Sequence, residues 1–458
     1  MLLNDCKFRQ QYPAFIYKDY RIEKTDDGIR LTFFFEIPEL CAFAPTTTIK
    51  TDNLTLVNAF DSPAAKRLVF SLGLTECVSY FKAVCPATLT VLCGTLSETE
   101  TAFWKKLYFH GLGEFLYRND LETDEAGLID IVCTGAPLPA NEQPFARGID
   151  ALVPVGGGKD SAVTAALLNK TDKRALYFTV NDQQARTDTV LATGKTERDI
   201  VRTYRVIDKN LLALNKQGFL NGHTPFSAIV AFLSAYCAYI TGAGNIVLSN
   251  EASANESNIE GLSVNHQYSK SYEFEQDFSA YLRQLTGAEI RYFSLLRPFN
   301  ELQIAKQFAD LPRYHRIFRS CNVGSKQNVW CGHCPKCLFV YSILSPFIEK
   351  EGLDQIFGGC MLDKKELLED FKGLCGMSTV KPFECVGTVA EIRCAVSMTI
   401  KQYGREGIRL PYLLEYFMDN NEPADDPRFF EAYNREHGVP MDFMPCVEAM
   451  YDFVSEEE

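Results

Sequence analysis

Apolar positions between residues 151 and 296 come in short runs separated by longer helix-like stretches. The stretches Ser161–Leu168, Pro225–Ile240 and the surroundings of Tyr281–Leu285 have helical periodicity. Strands that alternate with helices predict an α/β fold, with a parallel sheet covered by helices on both faces. Such sheets bind ligands beyond the carboxyl ends of their strands. The runs that predict strands are Ala151–Val155, Ala175–Val180, Arg202–Ile207, Ile246–Leu248 and Ile290–Leu296.

The flanking regions follow other patterns. Extended segments such as Ile29–Ile37 mix with one helix-like stretch, Phe103–Tyr117, whose periodicity two glycines weaken. Gly135–Arg147 carries three prolines and little periodicity, which predicts a linker. After about residue 346 the pattern is mostly helical. The predicted division is therefore an N-terminal α+β domain (1–147), a parallel-sheet domain (148–345) and a helical C-terminal region (346–458).

Charge and apolar content narrow the class of protein. The net charge of −13 over 458 residues argues against a protein that grips nucleic-acid phosphates. The apolar run Ala228–Ile240 is shorter than the roughly 20 residues that a membrane span needs. The start of the chain has no apolar signal-peptide core. We therefore expect a cytoplasmic protein whose cysteines stay reduced.

A glycine loop lies between a predicted strand and a predicted helix. Gly156, Gly157 and Gly158 let backbone N–H groups approach an anion, and the following helix adds its positive end. Lys159 adds a charge and Ser161 a hydroxyl. The Walker A and dinucleotide patterns do not fit. A glycine-rich turn without a ligand is the alternative interpretation.

This loop resembles the S-G-G-x-D-S pattern of the PP-loop ATP pyrophosphatases, which cleave ATP between the α and β phosphates. Gly157, Gly158, Asp160 and Ser161 match that pattern, and Gly156 stands where those enzymes have serine. The resemblance implies an ATP site formed by residues 156–161, in which Asp160 also positions Mg²⁺. The loss of one hydroxyl contact to pyrophosphate follows from Gly156.

Four cysteines have the spacing of metal ligands. Cys321, Cys331, Cys334 and Cys337 form C-x9-C-x2-C-x2-C, which suits a closed, structural zinc site. Free thiols and an iron–sulfur cluster are the alternatives. We call the segment that carries these cysteines, residues 321–337, the knuckle. His333 lies within it, but four cysteines already complete a tetrahedral set.

Polar residues after the fourth predicted strand are expected to face the ligand crevice. Glu251 and Glu256 suit Mg²⁺ or a hydroxyl group, and His266 and Lys270 suit acid–base work or phosphate binding. Arg297 suits a phosphate or a carboxylate. A polar surface loop is the alternative. The remaining crevice candidate is Asn255. The C-terminal motif KPFECVGT adds Lys381, Glu384 and Cys385. Cys385 is either a thiol base or simply a buried residue.

Together these pieces resemble the UDP-N-acetyl-α-D-muramoyl-L-alanyl-L-glutamate epimerases of peptidoglycan synthesis. The resembling segments are VPVGGGKDS, SNEASANE, NHQYSKS, YFSLLRPFNELQIAK, WCGHCPKC and KPFECVGT, with weaker likeness at 109–120. The 7-cyano-7-deazaguanine synthases share the loop and the knuckle but are usually much shorter. Another PP-loop synthase, base-modifying or amide-forming, and a non-catalytic nucleotide-binding zinc-knuckle adaptor remain alternative functions.

The epimerase resemblance implies an ATP-dependent isomerase that adenylates the terminal L-Glu of a UDP-muramoyl dipeptide. Adenylation makes the neighbouring Cα–H acidic enough to be removed and returned on the other face. The implied cofactors are ATP, Mg²⁺ and structural Zn²⁺, and the UDP-muramoyl group is expected against the N-terminal and C-terminal regions. The implied catalytic residues are Asp160, His266 and Cys385, and the implied substrate-binding residues are Glu251, Asn255, Glu256, Lys270, Arg297, Lys381 and Glu384.

Overall fold

A computed structural model gives the three-dimensional arrangement of the chain. It describes residues 1–52, 54–139, 144–255, 268–287, 289–378, 381–382, 384 and 386–456. The predicted site residues Glu256, His266 and Cys385 lie outside these ranges, as does the side chain of Asn255.

Within the described ranges, eleven strands form one mixed sheet. Their order is β11-β10-β7-β8-β9-β4-β2-β1-β5-β6, and β3 pairs with β2. The strands are β1 Ala14–Thr25, β2 Gly28–Ile37, β3 Cys41–Phe43, β4 Thr46–Ile49, β5 Thr88–Val91, β6 Asp130–Cys133, β7 Ala151–Pro154, β8 Ala175–Val180, β9 Ile200–Val206, β10 Asn245–Leu248 and β11 Arg291–Ser294.

Helices cover both faces of this sheet. They are α1 Lys7–Gln11, α2 Pro63–Phe81, α3 Glu98–Gly111, α4 Gly113–Arg118, α5 Glu125–Leu128, α6 Lys159–Leu168, α7 Gln184–Leu191, α8 Lys209–Lys216, α9 Phe226–Thr241, α10 Tyr272–Thr286, α11 Glu301–Ala309, α12 Pro312–His315, α13 Pro335–Leu344, α14 Lys350–Phe357, α15 Leu368–Leu374, α16 Val389–Glu406, α17 Tyr412–Asn420, α18 Arg428–Glu431 and α19 Met444–Ser455. Short 3₁₀ helices connect some of them, including Ala252–Asn255 and Tyr268–Lys270.

The strands after residue 150 pair as the sequence predicts. β11, β10, β7, β8 and β9 are parallel neighbours. β4 then pairs antiparallel with β9, from Thr46 opposite Val206 to Ile49 opposite Thr203, so the sheet continues into the N-terminal residues. The mixed α/β prediction is confirmed. The division at residue 147 stays a prediction, and the two regions on either side of it share a sheet.

Alternate residues of the central strands enter two different cores. Leu152 of β7 and Phe178 of β8 pack on the face that α2, α3, α9 and α10 cover. Val153 and Tyr177 point the opposite way, toward α6, α11, α13, α16 and α19. This period of two, with both faces apolar, is what a fully buried sheet requires. The C-terminal helices therefore complete the second core.

One predicted helix differs from the structure in both its start and its continuity. The helix predicted over 103–117 begins earlier, because Ser97 and Glu100 form a capping box, and it is interrupted at Leu112 between α3 and α4. Among the described residues after 346, every regular element is helical, as predicted. In the described part of the chain, no helix combines the length and apolar character that crossing a membrane requires.

Candidate functional site

A cleft of about 390 Å³ opens at the carboxyl ends of β7 and β10. Pro154 and Gly156 line it where β7 ends, and Leu248 and Glu251 line it where β10 ends. Asp160, at the start of α6, also lines it. The crevice is therefore where parallel-sheet topology predicts a ligand site.

The glycine loop is held open by its own contacts. Gly157 adopts the left-handed φ of 85°, and an added Cβ there would come within 3.1 Å of Ala185. The Ser161 hydroxyl accepts the Gly157 N–H (3.2 Å) and donates to the Gly158 carbonyl (3.0 Å). Ser161 thus shapes the loop. An added Cβ at Gly156 would meet no atom within 4 Å, so this position faces open space.

Lys159 is buried between two carboxylates. Its ammonium pairs with Asp160 and Glu301, and the Lys159 side chain is only 4% exposed. Burial lowers the pKa of Lys159, but the two carboxylates outweigh it and hold the pKa above its ordinary value. Lys159 therefore offsets part of the negative charge of these two cleft residues, and its predicted contact with phosphate stays a prediction. Asp160 and Glu301 reach the cleft surface.

Glu301 is a buried acid that the sequence analysis did not single out. Burial raises its pKa to about 8, opposed by the Lys159 ammonium and reinforced by the carboxylates of Asp160 and Glu251. At the start of α11, its own N–H donates to Glu391 of α16 (2.8 Å). Burial likewise raises the pKa of Glu391. The C-terminal region thus braces the cleft floor, and the signal for Glu301 was its place in the resembling segment YFSLLRPFNELQIAK.

Arg297 does not occupy the place that the sequence predicts. Its side chain is 0% exposed, and it does not line the cleft. The guanidinium donates to the carbonyl oxygens of Glu251 (2.7 Å) and Lys270 (2.6 Å) and pairs with Glu275 (3.2 Å). The predicted contact with substrate phosphate or carboxylate is therefore replaced by contacts with the protein. Glu251 and Lys270 themselves line the cleft, as expected.

The C-terminal motif also reaches the cleft. Glu384 lines it and accepts a hydrogen bond from Asn322 (2.8 Å), a residue of the knuckle loop. Lys381 is buried, 9% exposed. Their substrate-binding roles stay predictions. The same holds for Glu256, His266 and Cys385, which lie outside the described residues.

Two arginines that line the cleft were missed. Arg186 of α7 donates to the carbonyl of Asn181 (3.0 Å), and Arg319 donates to the carbonyls of Asn328 (3.2 Å) and Phe318 (2.6 Å). Burial lowers the pKa of both. Guanidinium groups on a cleft wall suit phosphate oxygens. Arg319 lies two residues before Cys321, whereas nothing in the sequence marked Arg186.

The four predicted metal ligands come together. The Sγ atoms of Cys321, Cys331, Cys334 and Cys337 all lie within 4.8 Å of one another, and three of the pairs are separated by 3.5, 3.7 and 3.8 Å. Tetrahedral thiolates about 2.3 Å from a zinc ion are about 3.8 Å apart. The donor set and its geometry therefore fit zinc. His333 contacts the backbone of Cys331 and is exposed.

Comparison with known proteins gives consistent matches along the chain. The MurL N-terminal domain family matches residues 7–295, and the MurL C-terminal domain family matches residues 317–422. A UDP-N-acetyl-alpha-D-muramoyl-L-alanyl-L-glutamate epimerase of Xanthomonas oryzae pv. oryzae is 34% identical over 393 residues, which cover 83% of this chain and 85% of the relative.

Two further relatives carry the same name. The Micromonospora sp. protein is 36% identical over 73% of this chain and 75% of its own length. The Salinispora tropica protein is 36% identical over 74% of each chain. With the first family match covering more than half of the residues, the chain belongs to the UDP-N-acetyl-alpha-D-muramoyl-L-alanyl-L-glutamate epimerase family.

Proposed function

We propose that the chain epimerises the terminal L-Glu of UDP-MurNAc-L-Ala-L-Glu to D-Glu, with ATP consumed to AMP and pyrophosphate. Its family membership and the shared name of its relatives support the substrate. The glycine loop supports the use of ATP and, with its match to the PP-loop pattern, cleavage between the α and β phosphates. Peptidoglycan precursor synthesis is the corresponding process.

One observation carries the proposal. The glycine loop, the Asp160 carboxylate and the cleft-lining Glu251 and Lys270 share a single cleft at the carboxyl ends of the strands. Backbone N–H groups at the start of α6 suit phosphate oxygens. Carboxylate and ammonium groups that line the same cleft suit a polar acyl substrate and proton transfer. A nucleotide and a carboxylic acid therefore have complementary groups within reach of one another.

The proposed reaction balances as follows. An oxygen of the glutamate α-carboxylate attacks the α-phosphorus of ATP, and pyrophosphate leaves. The Cα–H of the resulting mixed anhydride is more acidic than that of a free carboxylate, because the enolate charge delocalises onto an uncharged carbonyl. A base takes this proton, and an acid returns one to the opposite face. Water then cleaves the anhydride and releases AMP. His266 and Cys385 stay predictions for the proton-transfer roles.

The charged groups that line the cleft support a divalent cation as a cofactor. The carboxylates of Asp160 and Glu251 would repel ATP phosphates, so a divalent cation beside Asp160 fits the site. Mg²⁺ bound there would supply charge neutralisation at the phosphates. Arg186 and Arg319 add positive charge on the wall. Zinc held by the four cysteines would act structurally, because such a set leaves no open coordination position.

Turnover with UDP-MurNAc-L-Ala-L-Glu and ATP in deuterium oxide tests the proposal. Chiral analysis should show D-Glu, and the product should carry one solvent deuterium at Cα. Pyrophosphate should appear, and omission of ATP should abolish both signals. A new amide or nitrile formed with another acid would instead indicate a different PP-loop synthase. ATP binding without pyrophosphate release, even with this substrate, would indicate an adaptor and contradict the proposal.

A further inference from the structure

Arg297 lies in the turn between β11 and α11, and its charge is fully buried. At 0% exposure it is among the largest completely buried side chains of the described residues. Its Nε has no hydrogen-bond partner among those residues. A buried charge costs free energy, and well-packed apolar side chains often stabilise a core as well or better. The role of this guanidinium is therefore better explained by what it holds in place.

The guanidinium joins two separate parts of the cleft wall. Nη1 donates to the carbonyl oxygen of Glu251, at 2.7 Å, in the segment that follows β10. Nη2 donates to the carbonyl oxygen of Lys270, at 2.6 Å, where the 3₁₀ helix Tyr268–Lys270 ends. Both Glu251 and Lys270 line the cleft. The rigid planar fork holds two carbonyls at a fixed separation through two different nitrogens, whereas the donors of an ammonium rotate about a single nitrogen.

The third contact fixes the guanidinium itself. Nη2 lies 3.2 Å from Oε2 of Glu275, whose side chain is 3% exposed and belongs to the first turn of α10. Burial raises the pKa of Glu275, and the Arg297 charge opposes the shift. The Ser271 hydroxyl caps α10 at the Phe274 N–H (3.1 Å). We call the contacts of Arg297 with Glu251 and Lys270 the clamp. Through Glu275, the clamp is anchored to a capped helix.

We propose that Arg297 is a positioning residue for the epimerisation, which rests on the proposed function. Its clamp sets the backbone at Glu251 and Lys270, so that their side chains face the acyl group from fixed positions. Arg297 itself contacts no substrate. Misplacement of reacting groups by about 1 Å can cost about 100-fold in rate.

Arg297→Lys and Arg297→Ala test the proposal, with Arg205→Lys and Arg205→Ala as matched controls. Arg205 is also largely enclosed, with its side chain 8% exposed, and makes a two-point contact with one carboxylate, Glu76 (2.7 and 2.8 Å), but it does not line the cleft. The expected kcat of Arg297→Lys falls about 100-fold. Its KM for ATP changes by less than about threefold, because uniform binding is kept. Added guanidinium ion should restore activity to Arg297→Ala and leave Arg205→Ala unchanged.

Backbone hydrogen exchange provides a readout that needs no turnover. Peptides covering residues 249–252 and 269–272 should exchange faster in Arg297→Lys than in Arg205→Lys. Unchanged exchange there, or a raised KM with unchanged kcat, would overturn the positioning role. The positioning role would also be overturned if the Arg297 variants and the Arg205 variants lost activity only in proportion to their loss of thermal stability. A wild-type protein that forms no D-Glu contradicts the proposed function instead, and the exchange comparison still decides the clamp.

Discussion

The backbone N–H of Arg319 donates to the carbonyl oxygen of Gly157 across 2.7 Å. This bond attaches the glycine loop to the segment that carries Cys321, the first knuckle cysteine. An added Cβ on Gly158 would meet Cβ of Ser320 at 3.1 Å, so the same segment packs closely against the loop. The four-cysteine cluster is therefore mechanically linked to the proposed phosphate site.

Cys334→Ser should remove the metal and weaken ATP binding. A tetrahedral site that loses one thiolate loses its closed ligand set, and the 319–321 segment loses its anchor. Metal analysis should give about one zinc per chain for the wild type and none for the variant. ATP affinity by titration should fall about tenfold, which corresponds to about 1.4 kcal/mol.

Cys133→Ser is the control for that experiment, because Cys133 is partly buried and lies outside the cluster. It should keep both the metal and the ATP affinity. Metal retained in Cys334→Ser would contradict the zinc assignment. Metal lost with unchanged ATP affinity would contradict the link from the knuckle to the glycine loop.

Asp160→Asn should abolish pyrophosphate release and leave the fold intact. The amide keeps the shape of the carboxylate but lacks the negative charge that would hold a cation at the phosphates. The fold is kept because Lys159 still has Glu301 as a partner. We expect turnover to fall about 1,000-fold. Pyrophosphate release and thermal midpoint should be measured together, beside Asp172→Asn at an exposed position. Turnover within a few-fold of the control would remove Asp160 from the mechanism.

Gly156→Ser should tighten ATP binding. The position faces open space and has an ordinary φ, so a side chain fits there without strain. A serine hydroxyl restores the donor that the PP-loop pattern carries, and one hydrogen bond contributes about 1 kcal/mol. The affinity for ATP should therefore rise about fivefold over that of Gly156→Ala, which adds only the methyl group. Equal affinities for the two variants would show that phosphate does not approach this position.

Patterns with short-range physical causes were predictable from the sequence. The strands β7, β8 and β10 are mostly apolar runs because both faces of the sheet are buried there, and such runs are visible without a structure. The glycine loop and the cysteine spacing were also predictable, because each is a local pattern of neighbouring residues. The antiparallel pairing of β4 with β9 was not, because it joins residues 46–49 to residues 203–206.

Side-chain partners depend on such long-range contacts. Arg297 has the sequence signature of a ligand-binding arginine, but its partners Glu251 and Lys270 are set by how β10, β11 and α10 pack. Lys159 likewise has the position of a phosphate-binding lysine, and only the fold brings Glu301 to its ammonium. The sequence therefore predicts which residues lie near the cleft better than it predicts which of their side chains line it.

Glu301→Gln should remove a pH-dependent loss of stability. A carboxyl group whose pKa rises from 4.5 to about 8 on folding binds its proton more tightly in the native state than in the unfolded chain. Its contribution to stability is fully present below about pH 4.5 and is lost as pH rises to about 8. The thermal midpoint of the wild type should therefore fall, relative to Glu301→Gln, between about pH 5 and about pH 9. Glu369→Gln, at an exposed position, should run parallel to the wild type. If pairing with Lys159 dominated burial, the wild type would instead gain stability over Glu301→Gln as pH rises, and the raised pKa would be wrong.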